Sequence, residues 1–224
     1  MKQTLSFLEQ LCGNNNREWF NAHKEEYLEA QARFNAFLAE LIAEIATFDS
    51  SIAGLDVKQC IYRIYRDTRF STNKEPYKNY MAAYICRGGK SSGYAGYYFH
   101  IEPKEAGYIG SHLLAAGLYC PEKEALKNVR EEIYTNGAGF LQAVAHAEGF
   151  KLEGNHSLMR VPAGYPKDSE YAEYLKLKDF SLMASLPEKV LLGKDLLEYA
   201  VLHFRQVKEF NDLLNRAIDY RSAH

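Results

Sequence analysis

The densest run of chemically capable side chains is residues 63–78, Arg-Ile-Tyr-Arg-Asp-Thr-Arg-Phe-Ser-Thr-Asn-Lys-Glu-Pro-Tyr-Lys. Arg63, Arg66 and Arg69 offer planar guanidinium forks that match carboxylates and phosphates, and Lys74 and Lys78 add point charge. Tyr77 adds a flat face with a hydroxyl, and Asp67 could orient an arginine or act as a base. A pocket built from these groups suits a phosphorylated or carboxylated small molecule, including one that carries a ring. Two other uses of the same residues stand beside that one. Arg66, Asp67 and Arg69 could form an ion network pinning a loop, with Asp67 as a turn cap and Lys74, Lys78 and Lys90 as solvated edge charges. Alternatively, the basic and aromatic groups could track a nucleic-acid backbone.

Charge distribution bears on that choice. Residues 58–90 hold eight basic side chains against Asp67 and Glu75, a local +6, which leaves −8 for the rest of a chain whose net charge is −2. Backbone-tracking proteins usually present a broad basic face, so nucleic acid is the weaker expectation. A small anion is the stronger one, and an interaction scaffold with a structural motif is the third reading. No reaction follows from these residues.

Weaker sites lie elsewhere. His100 and Glu102 fall on the same face of a predicted strand and could be a base and its partner, or half-exposed sheet surface. Asn15, within Asn14-Asn15-Asn16, belongs to a helix cap whose N-terminus could add backbone donors to an anion site. Gly88-Gly89-Lys90-Ser91 imitates the end of a phosphate loop, but Tyr84 occupies the place of the required earlier glycine and no helix is expected to follow. The sequence has no H-E-x-x-H or G-x-G-x-x-G motif. Cys12, Cys60, Cys86 and Cys120 are scattered without zinc-ligand spacing and read as small hydrophobes of a reducing cytosol. Neither a metal nor a cofactor is expected.

These groups need a scaffold. Leu5, Leu8, Leu11 and Cys12 recur at helical spacing and Gly13 stops the turn. A second apolar stripe runs from Trp19 to Phe48. As one rod from Asn16 it would span about 50 Å, the whole width of a domain this size, so a bend is expected near 29–32. Segments 57–66, 81–87, 96–102 and 107–114 read as strands, and short links between the last three favour antiparallel pairing. In the first, alternation sets Arg63 and Tyr65 on one face and Tyr62, Ile64 and Arg66 on the other. Helices follow at 123–134 and 139–147, then a mostly irregular stretch at 151–179, then a final helix over 196–214. The expected fold is α+β: an antiparallel sheet of four to five strands in mid-chain, packed by N- and C-terminal helices, as one domain over 1–224. With 47% hydrophobic and 25% charged residues, the composition is that of an ordinary globular protein. Glu9 falls where a signal peptide would need an apolar core, and eighteen consecutive apolar residues occur nowhere. A cytoplasmic protein that does not span a membrane is expected.

Taken together, Asn14-Asn15-Asn16-Arg17-Glu18-Trp19-Phe20, Arg63-x-x-Arg66-Asp67-x-Arg69-Phe70-Ser71 and Lys74-x-Pro76-Tyr77-Lys78 resemble a bacterial family, domain of unknown function 2461. Tyr97-Tyr98-Phe99-His100, Gly117-Leu118-Tyr119 and Leu158-Met159-Arg160-Val161-Pro162-Ala163-Gly164-Tyr165 extend the resemblance over nearly the whole chain. The resemblance implies one intact domain and carries over no catalytic residue. It departs at Ala163, where a basic residue is expected, which weakens any role of that loop in holding an anion.

Overall fold

Leu5, Leu8 and Leu11 form the buried stripe of α1 (Lys2–Gly13), and the helix is released at Asn14. The computed structural model describes residues 1–154 and 156–220; the expected domain over 1–224 also takes in 155 and 221–224, which lie outside the described residues. Helix α2 (Arg17–Ala22) begins where the Asn16 side chain accepts the Trp19 N–H at 2.9 Å. The chain breaks at His23, with φ −109° and ψ 26°, and resumes as α3 (Lys24–Ala46). The bend expected near 29–32 is thus corrected, since α3 runs uninterrupted through that segment. Ala30 is buried where α1 crosses, and the Thr4 hydroxyl donates to its carbonyl at 3.3 Å. The lapse in large apolar side chains marks close helix packing rather than a bend.

The strand expected at 57–66 is corrected too. Asp56 and Gln59 form a reciprocal capping box that makes Val57–Cys60 a short helix, α4. This local hydrogen bonding outweighs the β-branched and aromatic composition. Residues 61–66 then form two isolated bridges, Ile61 to Ala83 of the first sheet strand (Met81–Cys86) and Tyr65 to Tyr77 outside the sheet. The alternating faces therefore do not form. Ile64 is buried, Arg66 half-buried, and Tyr62, Arg63 and Tyr65 exposed.

Beyond this segment the sheet begins with β1 (Met81–Cys86), β2 (Gly96–Ile101) and β3 (Leu113–Leu118). Helices α5 (Lys123–Thr135) and α6 (Gly137–His146) lead to β4 (Lys151–Leu152). Helix α7 (Ala172–Leu175) precedes β5 (Phe180–Ser185), and α8 (Glu188–Leu191), α9 (Leu196–Gln206) and α10 (Lys208–Asp219) complete the chain. The sheet order is β1-β2-β3-β5-β4, antiparallel throughout. The architecture is α+β. The strand expected at 107–114 starts only at Leu113, because Gly107 and Gly110 adopt positive φ, 62° and 88°, and hold 107–112 as a loop. Strand β5 pairs with β3 from Leu118↔Phe180 to Leu113↔Ser185, immediately after the stretch read as irregular. Gly117 makes that pairing possible: its φ is 110°, and a Cβ there would sit 1.9 Å from the Phe180 carbonyl oxygen. The single final helix is corrected to α9 and α10, which meet at Val207 (φ −95°, ψ 1°); Val207 is itself buried, so the apolar stripe continues through the break.

One face of the sheet is covered by helices. The Phe99 ring lies 6.0 Å from Phe34 and 4.9 Å from Phe37 of α3, and Tyr97 lies 5.3 Å from Phe204 of α9. Strand alternation turns Tyr98 and His100 to the opposite face, beside their cross-strand partners Tyr84 and Ala82. That second face carries the candidate site.

Candidate functional site

A cleft of about 300 Å³ lies between the 66–80 segment and the 106–108 loop. Two short backbone bonds set the segment's path: Arg66 N–H donates to the Pro76 carbonyl at 2.9 Å and Lys78 N–H to the Ile64 carbonyl at 2.7 Å. Asn15 locks the outer side. Its amide accepts the Tyr77 N–H at 3.1 Å, donates to the Tyr77 carbonyl at 3.0 Å, and reaches Asn79 Oδ1 at 2.5 Å. Asn15 therefore pairs with the backbone as a neighbouring strand would, and its expected role in the helix cap is corrected, since Asn16 alone supplies that cap. Tyr77 is buried and stacks on Phe20 with ring centroids 3.9 Å apart, so it faces the core rather than the cleft.

Arg66, Asp67 and Lys78 line the cleft, joined by Glu75, Tyr80 and Tyr108. Arg63, Arg69, Lys74 and Tyr77 lie outside the lining. Asp67 accepts two hydrogen bonds from the Arg69 guanidinium, at 3.0 and 2.6 Å, and the Arg69 N–H at 3.2 Å. These bonds hold the Asp67 carboxyl down at about 2, which makes it a holder of Arg69 and a poor proton acceptor near neutrality. Lys74 is exposed and donates to the Thr68 carbonyl at 3.0 Å. Arg66 approaches Glu75 at 3.6 Å, a loose ion pair longer than a charge-assisted hydrogen bond.

Lys78 differs from these. Its ammonium lies 5.4 Å from the Tyr62 ring centroid and 5.8 Å from that of Tyr80, and among the described residues its side chain makes no hydrogen bond or ion pair. Burial lowers its pKa, and the charges of Arg63 and Arg66 lower it further. Tyr80 and Tyr108 stack with centroids 4.4 Å apart and form an aromatic wall. Burial raises the Tyr80 phenol pKa, so it remains a proton donor at neutral pH.

His100 lies behind that wall, its ring 4.9 Å from Tyr80. The expectation of half-exposed sheet surface for His100 and Glu102 is corrected: they are 0% and 1% exposed. His100 Nε2 meets Glu102 Oε2 at 3.2 Å, and the Tyr98 hydroxyl meets Nδ1 at 2.9 Å. Glu102 Oε1 accepts backbone N–H bonds from Ile109 at 2.9 Å, from Ser111 at 3.1 Å, and from Gly110 between them. Burial alone would raise the Glu102 pKa, but bonds from His100 and the loop amides outweigh it and the net direction is down. The pair thus anchors the loop that presents Tyr108. Sequence reasoning missed Tyr80 and Tyr108. Tyr80 was within reach, since it lies two residues after Lys78, whereas Tyr108 arrives through a loop whose path depends on the buried Glu102.

Among the described residues, no group of three or more His, Cys, Asp or Glu could hold a metal ion, and no helix is long and apolar enough to cross a membrane. The cleft and antiparallel α+β scaffold describe a class of ligand-sized site without a recognisable catalytic signature. The chain matches the family described as "Conserved hypothetical protein (DUF2461)" over residues 3–213, and it belongs to that family. No curated protein and no solved structure matches it.

Proposed function

We propose that the cleft binds a small organic anion, phosphorylated or carboxylated, with Lys78 and Arg66 as cationic contacts and Tyr80 and Tyr108 as an aromatic wall. The observation that carries this reading is Lys78, a half-buried ammonium lining a cleft with no oxygen partner among the described residues. A charge taken out of water without a counter-ion is costly, and a bound anion supplies the missing partner. The cleft volume lies at the small end of ligand sites, which suits a metabolite better than a polymer. Several basic groups of the 58–90 segment are engaged elsewhere: Arg87 pairs with Asp219, Arg69 with Asp67, and Lys90 donates to the carbonyls of Lys58 and Gln59. That pattern favours a discrete pocket over a backbone-tracking groove. We also take 1–224 as one cytoplasmic domain, since buried residues from Leu5 to Ala217 join one core and all four cysteines are free.

Thermal shifts of wild type and Lys78→Met against phosphate, nucleotides, sugar phosphates, small carboxylates and short oligonucleotides test the proposal. A ligand at about a hundred times its Kd adds roughly 2.7 kcal/mol of stability. A small anion should raise the wild-type midpoint and not that of the variant. Stabilisation by oligonucleotides alone, falling steeply with salt, would instead support the nucleic-acid reading.

A further inference from the structure

We propose that Lys78 is a nucleophile that condenses with the carbonyl of a small oxo acid, so that the ligand class of the cleft is a carboxylate bearing a ketone or aldehyde. This rests on the anion-binding reading of the cleft and narrows it. The first argument is how Lys78 differs from other lysines. Lys74 and Lys90 donate to backbone carbonyls, while Lys176 and Lys208 pair with Glu173 and Asp212 at 2.5 Å. Oxygen partners accept hydrogen bonds from those amines. Lys78 meets aromatic faces instead, and the two nearby carboxylates of the cleft are engaged, Asp67 by Arg69 and Glu75 by Arg66.

A lysine desolvated against rings and flanked by other cations is the arrangement that frees an amine lone pair near neutral pH. Here burial comes first, followed by the charges of Arg63 and Arg66, and together they lower the Lys78 pKa. The second argument is what stands beside it. Arg66 lines the same cleft with its only ion pair among the described residues at 3.6 Å, loose enough for a substrate carboxylate to take a place on the guanidinium. Glu75 and the Tyr80 hydroxyl share the lining and can move a proton. The neutral amine adds to the carbonyl carbon while a proton passes from nitrogen to oxygen, giving a carbinolamine. The Tyr80 phenol protonates the departing hydroxyl, water leaves, the carbon–nitrogen double bond forms, and the phenolate takes back the proton left on nitrogen. No oxidant or reductant enters this step.

The test uses the full chain with pyruvate or glyoxylate and sodium cyanoborohydride, which reduces an imine to a stable secondary amine. Intact-mass analysis and peptide mapping should show one dominant adduct, at Lys78, in clear excess over any other lysine. It should be absent from Lys78→Arg, which keeps the charge, and from Lys78→Met, each checked for a wild-type-like unfolding transition. Lactate, which has the carboxylate but no carbonyl, should protect against trapping and shift the wild-type midpoint by itself. A lactate shift without an adduct at Lys78 overturns the imine and leaves anion binding standing. Absence of both overturns the oxo-acid assignment, while the anion reading stands or falls on the thermal shifts with phosphate, nucleotides and sugar phosphates, and adducts spread evenly over the lysines overturn the special role of Lys78.

Discussion

Replacing Glu102 by alanine removes the carboxylate that accepts from His100 and from the N–H groups of Ile109, Gly110 and Ser111. Stranding a buried donor costs about 1–3 kcal/mol, and this carboxylate is the acceptor for three loop amides besides the His100 ring. Water entering from the cleft side relieves some of the stranded donors, so the loss should lie near 3–5 kcal/mol rather than at the sum of the separate terms. For a chain of this size that lowers the thermal midpoint by roughly 6–20 °C. Glu102→Gln keeps the shape and one acceptor oxygen, and should cost about 1–3 kcal/mol. The Glu102 pKa is lowered in the fold, so its contribution is fully present above the ordinary glutamate value of 4.5 and is lost as pH falls through the folded value. The gap between wild type and Glu102→Gln should therefore narrow on acidification. Urea unfolding at neutral and acid pH measures both effects. Hydrogen exchange should show the amides of 109–111 losing protection while those pairing β2 with β3 keep theirs. An alanine variant within about 0.5 kcal/mol of wild type would refute the anchoring argument, as would a Glu102→Gln gap that does not change with pH.

Three further outcomes follow from the same geometry. Asn15→Ala breaks the amide pairing to the Tyr77 backbone and should cost about 1–3 kcal/mol in urea unfolding, with a weaker ligand response because Lys78 and Asn79 lose their support. Gly117→Ala forces a Cβ against the Phe180 carbonyl at a positive φ, and should cost more than about 4 kcal/mol or prevent soluble expression. Lys78→Met removes a desolvated charge and should raise the unfolding midpoint at neutral pH. Because the folded Lys78 pKa is lowered, wild-type stability rises with pH between that value and 10.5, so the difference from the variant should shrink in alkaline solution.

Much of this was legible in the residues. The Leu5, Leu8, Leu11 spacing, a helix cap within Asn14-Asn15-Asn16, the antiparallel mid-chain sheet and the basic segment all depend on local signals, which a sequence displays directly. The strand expected at 57–66 does not form because the Asp56 and Gln59 capping box, itself a local signal, outweighs the β-branched and aromatic composition. Strand β5 was different: Phe-Ser-Leu-Met-Ala-Ser owes its conformation to the register with β3, a long-range contact. The site divided in the same way. Arg66, Asp67 and Lys78 could be named from type and spacing, but Tyr77 turned inward because Phe20 stacks on it. The burial of His100 and Glu102 required loop 109–111 to fold back over the carboxylate, which no local pattern announces.

The central claim is that Lys78 is the cation that holds an anion in the cleft. Its most direct test is an equilibrium titration of wild type, Lys78→Met and Lys74→Met with the small anion that stabilises wild type most. Lys74 serves as the control because it lies outside the lining, with its ammonium on the Thr68 carbonyl. Removing a charge-assisted contact worth about 1.5–3 kcal/mol predicts a Kd raised roughly tenfold to a hundredfold for Lys78→Met, and a Kd unchanged for Lys74→Met. Equal affinity in wild type and Lys78→Met would contradict the account.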